Sequence, residues 1–192
     1  MEQKVTIEEE IEKRENKKRD GIQLILYISL LVLISFFIVK FVGQRTVVSG
    51  ESMEATLNDG DNLIIDKISY RISDPKRFEV VVFPNPMDKS VYFIKRIIGL
   101  PGETVKIDGD GKIYINGSVL HENYGREVIN NPGRAAETIT LGKDEYFVMG
   151  DNRNNSLDSR FEEVGNIHRD DFIGRAWVRI YPFGKFKDLL PD

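Results

Sequence analysis

The first residue that could do chemistry is Ser52, which lies in residues 49–57 with the sequence SGESMEATL. Gly50 permits a tight backbone turn that leaves amide groups free to donate hydrogen bonds, and Met53 can line an apolar pocket beside the hydroxyl. These features suit a nucleophile that attacks a carbonyl carbon. An ordinary turn that carries a serine has the same local sequence, so the interpretation depends on a base elsewhere in the chain.

The candidate base is Lys95, because it interrupts an apolar stretch, residues 91–102, with the sequence VYFIKRIIGLPG. Alternation along a strand places Lys95 on one face with Phe93 and Ile97. Arg96 is then expected on the opposite face. Burial lowers the pKa of a lysine, so that the neutral amine can accept a proton from a serine hydroxyl. The alternative is a lysine whose long side chain reaches water at the edge of the strand.

A third stretch, residues 150–160, has the sequence GDNRNNSLDSR and follows an apolar strand. So many small polar residues suit a loop that holds other groups in place. Asp151 or Asp158 could form an ion pair with Arg160, and a hydroxyl could orient a neutral amine. A calcium-binding loop is the rival interpretation, but the spacing lacks the acidic closing residue of an EF-hand.

The composition narrows the classes of protein to which these stretches can belong. The 192 residues are enough for one domain of ordinary size, and a formal net charge of -4 argues against a general nucleic-acid binder. The absence of cysteine excludes disulfides, a thiolate nucleophile and a cysteine-based metal site. Only two histidines occur, His121 and His168, although most serine hydrolases need a histidine base.

Residues 22–42 form an apolar run of 21 residues in which Lys40 is the only charged residue. A helix needs about 20 mainly apolar residues to cross the hydrocarbon layer of a membrane. The run is longer than the apolar region of a cleaved signal peptide, and no cleavage site of small residues follows it. A buried core helix would also be apolar, but nothing else in the chain could bury it on every side. We predict an uncleaved transmembrane anchor.

The basic residues around this run predict its orientation. Six lysines and arginines precede it, whereas Arg45 is the only one in the twenty positions that follow. Because such residues mark the cytoplasmic side of a span, we expect the N-terminus in the cytoplasm. The expected organisation is a solvated, partly helical cytoplasmic tail over residues 1–21, a single-pass anchor in the cell membrane over 22–42, and an extracytoplasmic β domain over 43–192 that carries the candidate catalytic residues.

From residue 43 onward, short apolar stretches separated by turn residues indicate β structure. Strands are predicted over residues 63–65, 80–83, 92–100, 104–107, 112–115, 146–149 and 173–181. The sequences DGDG at 108–111 and NG at 116–117 predict hairpin turns. Because no long amphipathic helix is evident, we predict a mainly β fold with an antiparallel, partly barrel-like domain behind one N-terminal transmembrane helix. The polar residues 121–143 are expected to be a surface excursion.

Together, the three stretches resemble the type I signal peptidases, the membrane-bound Ser-Lys proteases that remove signal peptides from exported proteins. The resemblance covers nearly the whole chain, from the anchor to the C-terminus. It rests on the patterns SGxSMxxTL, KRIIGLPGE and GDNRxNSxDSR, which occur in that order behind an N-terminal span. The short layout with a single span is similar to the Gram-positive bacterial branch of the family.

The resemblance implies a role for each matching residue. Ser52 would be the acylating nucleophile, with its backbone amide in the oxyanion hole, and Lys95 would be the general base. Ser156 would help to orient the lysine amine. Some relatives carry a hydroxyl that stabilises the oxyanion at the position of Gly50, so this chain lacks that donor. Gly50 and Met53 are expected to contact the substrate, and no metal or cofactor is expected.

The resemblance also implies an ion-paired brace around the site, formed by Asp151, Asp158 and Arg160. Two departures from the family pattern concern the backbone. Ala55 stands where the family usually has proline. The replacement would loosen the loop behind the nucleophile, because alanine restricts the backbone less than proline does. Phe78 stands where the family usually has glycine. Neither departure removes a group from the chemistry.

The expected partners are preproteins that bear signal peptides and the lipid bilayer, on which Trp177 could help to seat the domain. No nucleic-acid partner is expected, and the sequence does not indicate an oligomeric state. A self-cleaving regulatory protease, similar to the SOS repressors, would need a DNA-binding domain in place of the membrane segment. A non-catalytic anchored β module and an enzyme dedicated to pilin processing are two further hypotheses.

Overall fold

The computed structural model describes residues 2–37, 43–184 and 186–191. The chain divides into two units, Met1–Val42 and Gly43–Asp192. In the first unit the described residues form one helix, α1 (Glu2–Phe37). Its segment Asn16–Phe37 is long and apolar enough to cross a membrane, by length and composition. The last residues of the predicted anchor, 38–42 with Lys40, lie outside the described residues.

The second unit is built from antiparallel strands, which confirms the predicted fold class. Its described strands are β1 (Gly43–Val47), β2 (Asn62–Asp66), β3 (Val80–Pro84), β4 (Tyr92–Gly99), β5 (Thr104–Ile107), β6 (Ile113–Ile115), β7 (Ser118–Val119), β8 (Ile139–Thr140), β9 (Glu145–Met149), β10 (Ile167–His168), β11 (Gly174–Tyr181) and β12 (Lys187–Asp188). Its described helical segments are the short helix α2 (Ser69–Ile72) and two 3-10 turns, Gly133–Ala136 and Arg169–Asp171.

The strands form a larger and a smaller sheet. The larger has the order β1-β2-β11-β3-β4-β9-β10, with β12 beside β11, and the smaller has the order β7-β6-β5-β8. All seven predicted strands are present with nearly the predicted bounds. Both predicted hairpins join strands of the smaller sheet, with positive φ at Gly111 and Asn116. The other five strands were not predicted, because they are short or polar and are defined by pairing rather than by an apolar pattern.

The prediction that residues 121–143 lie on the surface is wrong for part of the segment. Ile129 is 5% exposed and Ala135 is fully buried, and Leu141 is buried beside them. All three pack against β5, β6 and Phe147 in the core of the smaller sheet. A sheet of four short strands buries few of its own residues, so this irregular segment supplies part of its core.

Candidate active site

Ser52 and Lys95 lie 43 residues apart in the sequence and meet in the structure. Ser52 follows β1 in a short loop, and Lys95 lies within β4, opposite Val81 of β3. The Lys95 Nζ atom is 2.7 Å from the Ser52 Oγ atom and 3.2 Å from the Ile94 carbonyl oxygen. The two residues predicted as nucleophile and base are therefore within hydrogen-bonding distance.

The surroundings of the Lys95 amine favour its neutral form. Lys95 is only 3% exposed, and its Nζ atom lies 4.8 Å from the centroid of the Phe93 ring. Burial has the largest influence and lowers the pKa of Lys95 to about 8. The charges of Asp158 and Asp151 raise this pKa, and that of Arg160 lowers it. The burial excludes the alternative of a lysine that reaches water at the strand edge, and the lowered pKa suits a general base.

The acidic residues of the third stretch form two separate buried ion pairs. Arg96 donates through Nε and Nη2 to the two carboxylate oxygens of Asp151, at 2.8 and 2.7 Å. Arg160 donates in the same bidentate way to Asp158, at 2.8 and 2.9 Å. The predicted brace is therefore divided, because Asp151 pairs with Arg96 and not with Arg160.

This pairing also weakens the calcium interpretation of the third stretch. The carboxylates of Asp151 and Asp158 are each held by a guanidinium, so neither is free to bind a cation. Across the described ranges, no group of three or more histidine or acidic side chains is placed to hold a metal ion. The loop is a support built from hydrogen bonds and ion pairs.

Arg96 is the residue of this site that the sequence analysis missed. Its guanidinium also donates to the Phe78 carbonyl oxygen at 2.7 Å and to Thr56 Oγ1 at 3.1 Å. The ring of Tyr124 covers it, with the Arg96 Cζ atom 3.8 Å from the ring centroid. An arginine inside an apolar strand is the signal that could have found it, since a buried cation needs a carboxylate partner.

The third stretch also forms hydrogen bonds to the backbone of the nucleophile loop. The Asn152 amide donates to the Ser52 carbonyl oxygen at 3.0 Å, and its side chain donates to the Glu51 carbonyl oxygen at 3.1 Å. A Cβ atom at Gly150 would lie 2.5 Å from the Ser52 carbonyl oxygen and 2.3 Å from Ser156 Oγ. Only glycine allows this close approach, which fixes the position of Ser52.

Ser156 lies beside the nucleophile but does not make the contact that the resemblance implies. Its Oγ atom is buried and has no hydrogen-bond partner in the part of the chain that the structure describes. It packs next to Gly150, behind Ser52. A role for Ser156 in orienting the Lys95 amine stays a prediction.

The backbone around the site has positive φ angles at the two residues that depart from the family pattern. Ala55 has a φ of 100° and Phe78 a φ of 72°. Proline is fixed at a φ of about −65°, so the loop as it stands excludes the usual proline at position 55. Alanine here adopts a turn that proline cannot, and the expected loosening of the loop stays a prediction. Gly50 has a φ of 97°, and its N–H donates to the Asp59 carboxylate at 2.8 Å.

An open groove of about 750 Å³ leads to Ser52 and Lys95. One wall is the end of β1 and the loop after it, with Val48 and Met53, and the other is the start of β4, with Tyr92. Met53 also belongs to the core beneath the groove. Among the described residues, the Ser52 N–H has no hydrogen-bond acceptor, so it is available to an oxyanion.

Comparison with known proteins identifies relatives along most of the chain. The sequence profile of a family described as signal peptidase, peptidase S26, matches residues 21–181. A probable signal peptidase I-2 from Synechocystis is 42% identical over 167 residues, which cover 84% of this chain and 73% of the relative. A signal peptidase I from Leptolyngbya laminosa is 40% identical over 172 residues, covering 85% of this chain and 81% of the relative.

Similarity also extends to Bacillus and to a solved structure. Signal peptidase I P from Bacillus subtilis subsp. natto is 32% identical over 183 residues, covering 92% of this chain and 97% of the relative. A crystal structure of a signal peptidase I from Enterococcus faecalis is 33% identical and covers 54% of this chain and 97% of its own, with a TM-score of 0.43. The relatives come from cyanobacteria as well as Gram-positive bacteria.

Proposed function

This chain belongs to the signal peptidases of the peptidase S26 family, and we propose that it cleaves preproteins with Ser52 as nucleophile and Lys95 as general base. It is a serine endopeptidase that removes signal peptides from exported preproteins. The observation that carries the residue assignment is the distance of 2.7 Å between Lys95 Nζ and Ser52 Oγ, in a setting that lowers the pKa of the lysine to about 8.

The proposed reaction begins with the neutral Lys95 amine. It takes the proton of the Ser52 hydroxyl while Oγ attacks the carbonyl carbon of the bond to be cut. The negative charge that develops on the carbonyl oxygen is stabilised by the Ser52 N–H, and one such donor contributes roughly 3–4 kcal/mol. Protonated Lys95 then donates its proton to the leaving amine. Water, activated by the same lysine, releases the acyl group from Ser52.

We propose that the preprotein binds in the groove as an extended segment. The groove runs between the end of β1 and the start of β4, and its walls offer backbone groups to which an added strand can bond. The apolar walls at Val48, Met53 and Ile94 suit small side chains, typically alanine, at the first and third positions before the cut. Side chains at alternate positions of a strand point to the same side, which accounts for this spacing.

We further propose that the N-terminus is cytoplasmic and the β domain extracytoplasmic. The charge difference across residues 22–42 supports this orientation. Exposed aromatic side chains near the C-terminus, at Trp177, Tyr181, Phe183 and Phe186, support seating of the domain on lipid. Protease added to the outside of intact cells should digest the β domain, whereas inverted membrane vesicles should protect it. The reverse pattern would contradict the orientation.

The residue assignment is tested by cleavage of a labelled preprotein by the detergent-solubilised full chain. Ser52→Ala and Lys95→Met should each abolish cleavage, because each removes one partner of the proton transfer. Lys106→Met is the matched control, since Lys106 is an exposed lysine of β5, and it should retain full activity. Circular dichroism should show that all three variants keep the fold. Full activity in Lys95→Met would exclude Lys95 as the base.

A further inference from the structure

A second, smaller cavity continues the groove away from Ser52. It has a volume of about 150 Å³, and it shares Thr46, Val82 and Tyr92 with the groove that contains the nucleophile and the base. Gln44, Ile65 and Ile173 line the smaller cavity alone. The shared residues make the two cavities parts of one continuous surface, so a peptide bound in the first can extend into the second.

The lining of the smaller cavity suits an apolar side chain. Ile65 and Val82 are buried core residues that line it, and Ile173, which packs against the same core, lines it as well. Gln44, Thr46 and Lys67 also line it, and of these three Gln44 is exposed to solvent. In proteins, an apolar cavity of about 150 Å³ can hold a group the size of benzene. Leucine and phenylalanine side chains are therefore of suitable size.

The position of the cavity along β1 sets which substrate residue reaches it. The wall of the main groove beside Ser52 is formed by residues 46–53, whereas the smaller cavity is walled by Thr46 and Gln44, further back along the same strand. An extended peptide advances by about 6.6 Å for every two residues, and alternate side chains face the same way. If the first and third residues before the cut face the main groove, the fifth is the next to face its floor.

We propose that this cavity is a subsite for the fifth residue before the cleaved bond of the preprotein, and that it selects an apolar side chain of leucine or phenylalanine size. The inference rests on the proposed function, because the register is counted from Ser52. Lys67 in the lining disfavours a basic residue at the same position, because like charges repel. The continuity of the cavity with the dyad groove supports the preprotein as its occupant.

The substrate test uses one preprotein with leucine, alanine or lysine at the fifth position before the cut. Leucine should raise kcat/KM by about tenfold over alanine, as expected when one apolar pocket is filled, and lysine should lower it. Leucine moved to the fourth or sixth position should not give this gain. Equal rates for leucine and alanine at the fifth position, or a gain that peaks at the fourth or sixth, would overturn the inference.

The enzyme test blocks the cavity with a substitution at an exposed residue of its lining. Gln44→Trp changes an exposed residue of β1, so that the indole covers the cavity, and the tenfold preference for leucine should fall to about one. Val119→Trp is the matched control, because Val119 is an exposed strand residue of the smaller sheet, and it should keep the preference. A preference that survives Gln44→Trp would contradict the assigned cavity.

The same experiment separates failure of the subsite from failure of the proposed dyad. Ser52→Ala should cleave none of the substrates. If that variant still cleaves, the dyad is wrong, whatever the substrate preference. If cleavage requires Ser52 but leucine and alanine at the fifth position behave alike, the dyad stands and only the subsite is wrong.

Discussion

The loop that carries the nucleophile and the loop that supports it are built in opposite ways. Residues 49–57 have two positive φ angles, at Gly50 and Ala55, and much of their surface is exposed. Residues 150–160 are largely buried, with Asp151 and Asp158 fully inaccessible and each paired with an arginine. The reacting side chain thus lies on an open, strained segment, and its position is determined by a closed, ion-paired one.

This division gives each loop a separate task. The nucleophile must be reached by a substrate, so its loop cannot be covered. The position of Ser52 must then be set by the supporting loop, in which Asn152 and Gly150 contact the Ser52 backbone. Disturbing the supporting loop should therefore affect stability and placement strongly. Disturbing the nucleophile loop away from Ser52 should have smaller effects.

The largest effect is expected when the buried Arg160–Asp158 pair is broken. Arg160→Met leaves the buried Asp158 carboxylate without its cation, which should lower the free energy of unfolding by about 3–5 kcal/mol. Chemical denaturation monitored by Trp177 fluorescence measures this change. The control is Arg126→Met, which breaks an exposed pair with Glu54 and should change stability by less than about 1 kcal/mol. Equal effects of the two substitutions would contradict the contrast between the loops.

The next largest effect concerns the contact between the two loops. Gly150→Ala places a Cβ atom against the Ser52 carbonyl oxygen and Ser156 Oγ, so the nucleophile must move. A displacement of this order should lower kcat by about 100-fold. Steady-state cleavage assays measure it, with Gly109→Ala as the control, because no atom lies within 4 Å of a Cβ at that hairpin position. Normal kcat in Gly150→Ala would show that the supporting loop does not fix Ser52.

Lys95 is influenced by both loops, since it contacts Ser52 of one and senses the charges of Asp158 and Asp151 of the other. Its pKa is lowered to about 8 and the unprotonated form is the base, so activity should be lost as the pH falls below that value. The expected loss in kcat/KM is about tenfold per pH unit, with a plateau above. A pH profile of preprotein cleavage measures it, and a flat profile between about pH 6 and pH 8 would exclude Lys95 titration.

The smallest effect is expected within the nucleophile loop. Ala55→Gly should raise the free energy of unfolding by up to about 1 kcal/mol, because glycine adopts positive φ without strain. Ala55→Pro should lower it, since proline cannot adopt the observed φ. Ala136→Gly is the control, an exposed alanine in a 3-10 turn, and it should be neutral or destabilising. Thermal unfolding compares the three, and stabilisation by Ala55→Pro would show that the loop can take the usual family conformation.

Features that depend on local pattern and residue type could be predicted from the sequence. The apolar run 22–37, the seven apolar strands and both hairpin turns follow from periodicity and from residues that accept positive φ. The family patterns around Ser52 and Lys95 identify both as candidate catalytic residues. A lysine in an apolar strand is unusual, so Lys95 can be identified from the sequence without knowledge of its spatial neighbours.

Which partners meet depends on the tertiary structure. Asp151 pairs with Arg96, 55 residues away, because β4 pairs with β9 in the larger sheet and Asp151 follows β9. The burial of Ile129 and Ala135 and the positive φ of Ala55 likewise depend on contacts between segments distant in sequence. The partners of an ion pair or of a packed side chain depend on which strands pair with each other. The local sequence therefore indicates the candidate residues, and the tertiary structure determines which of them meet.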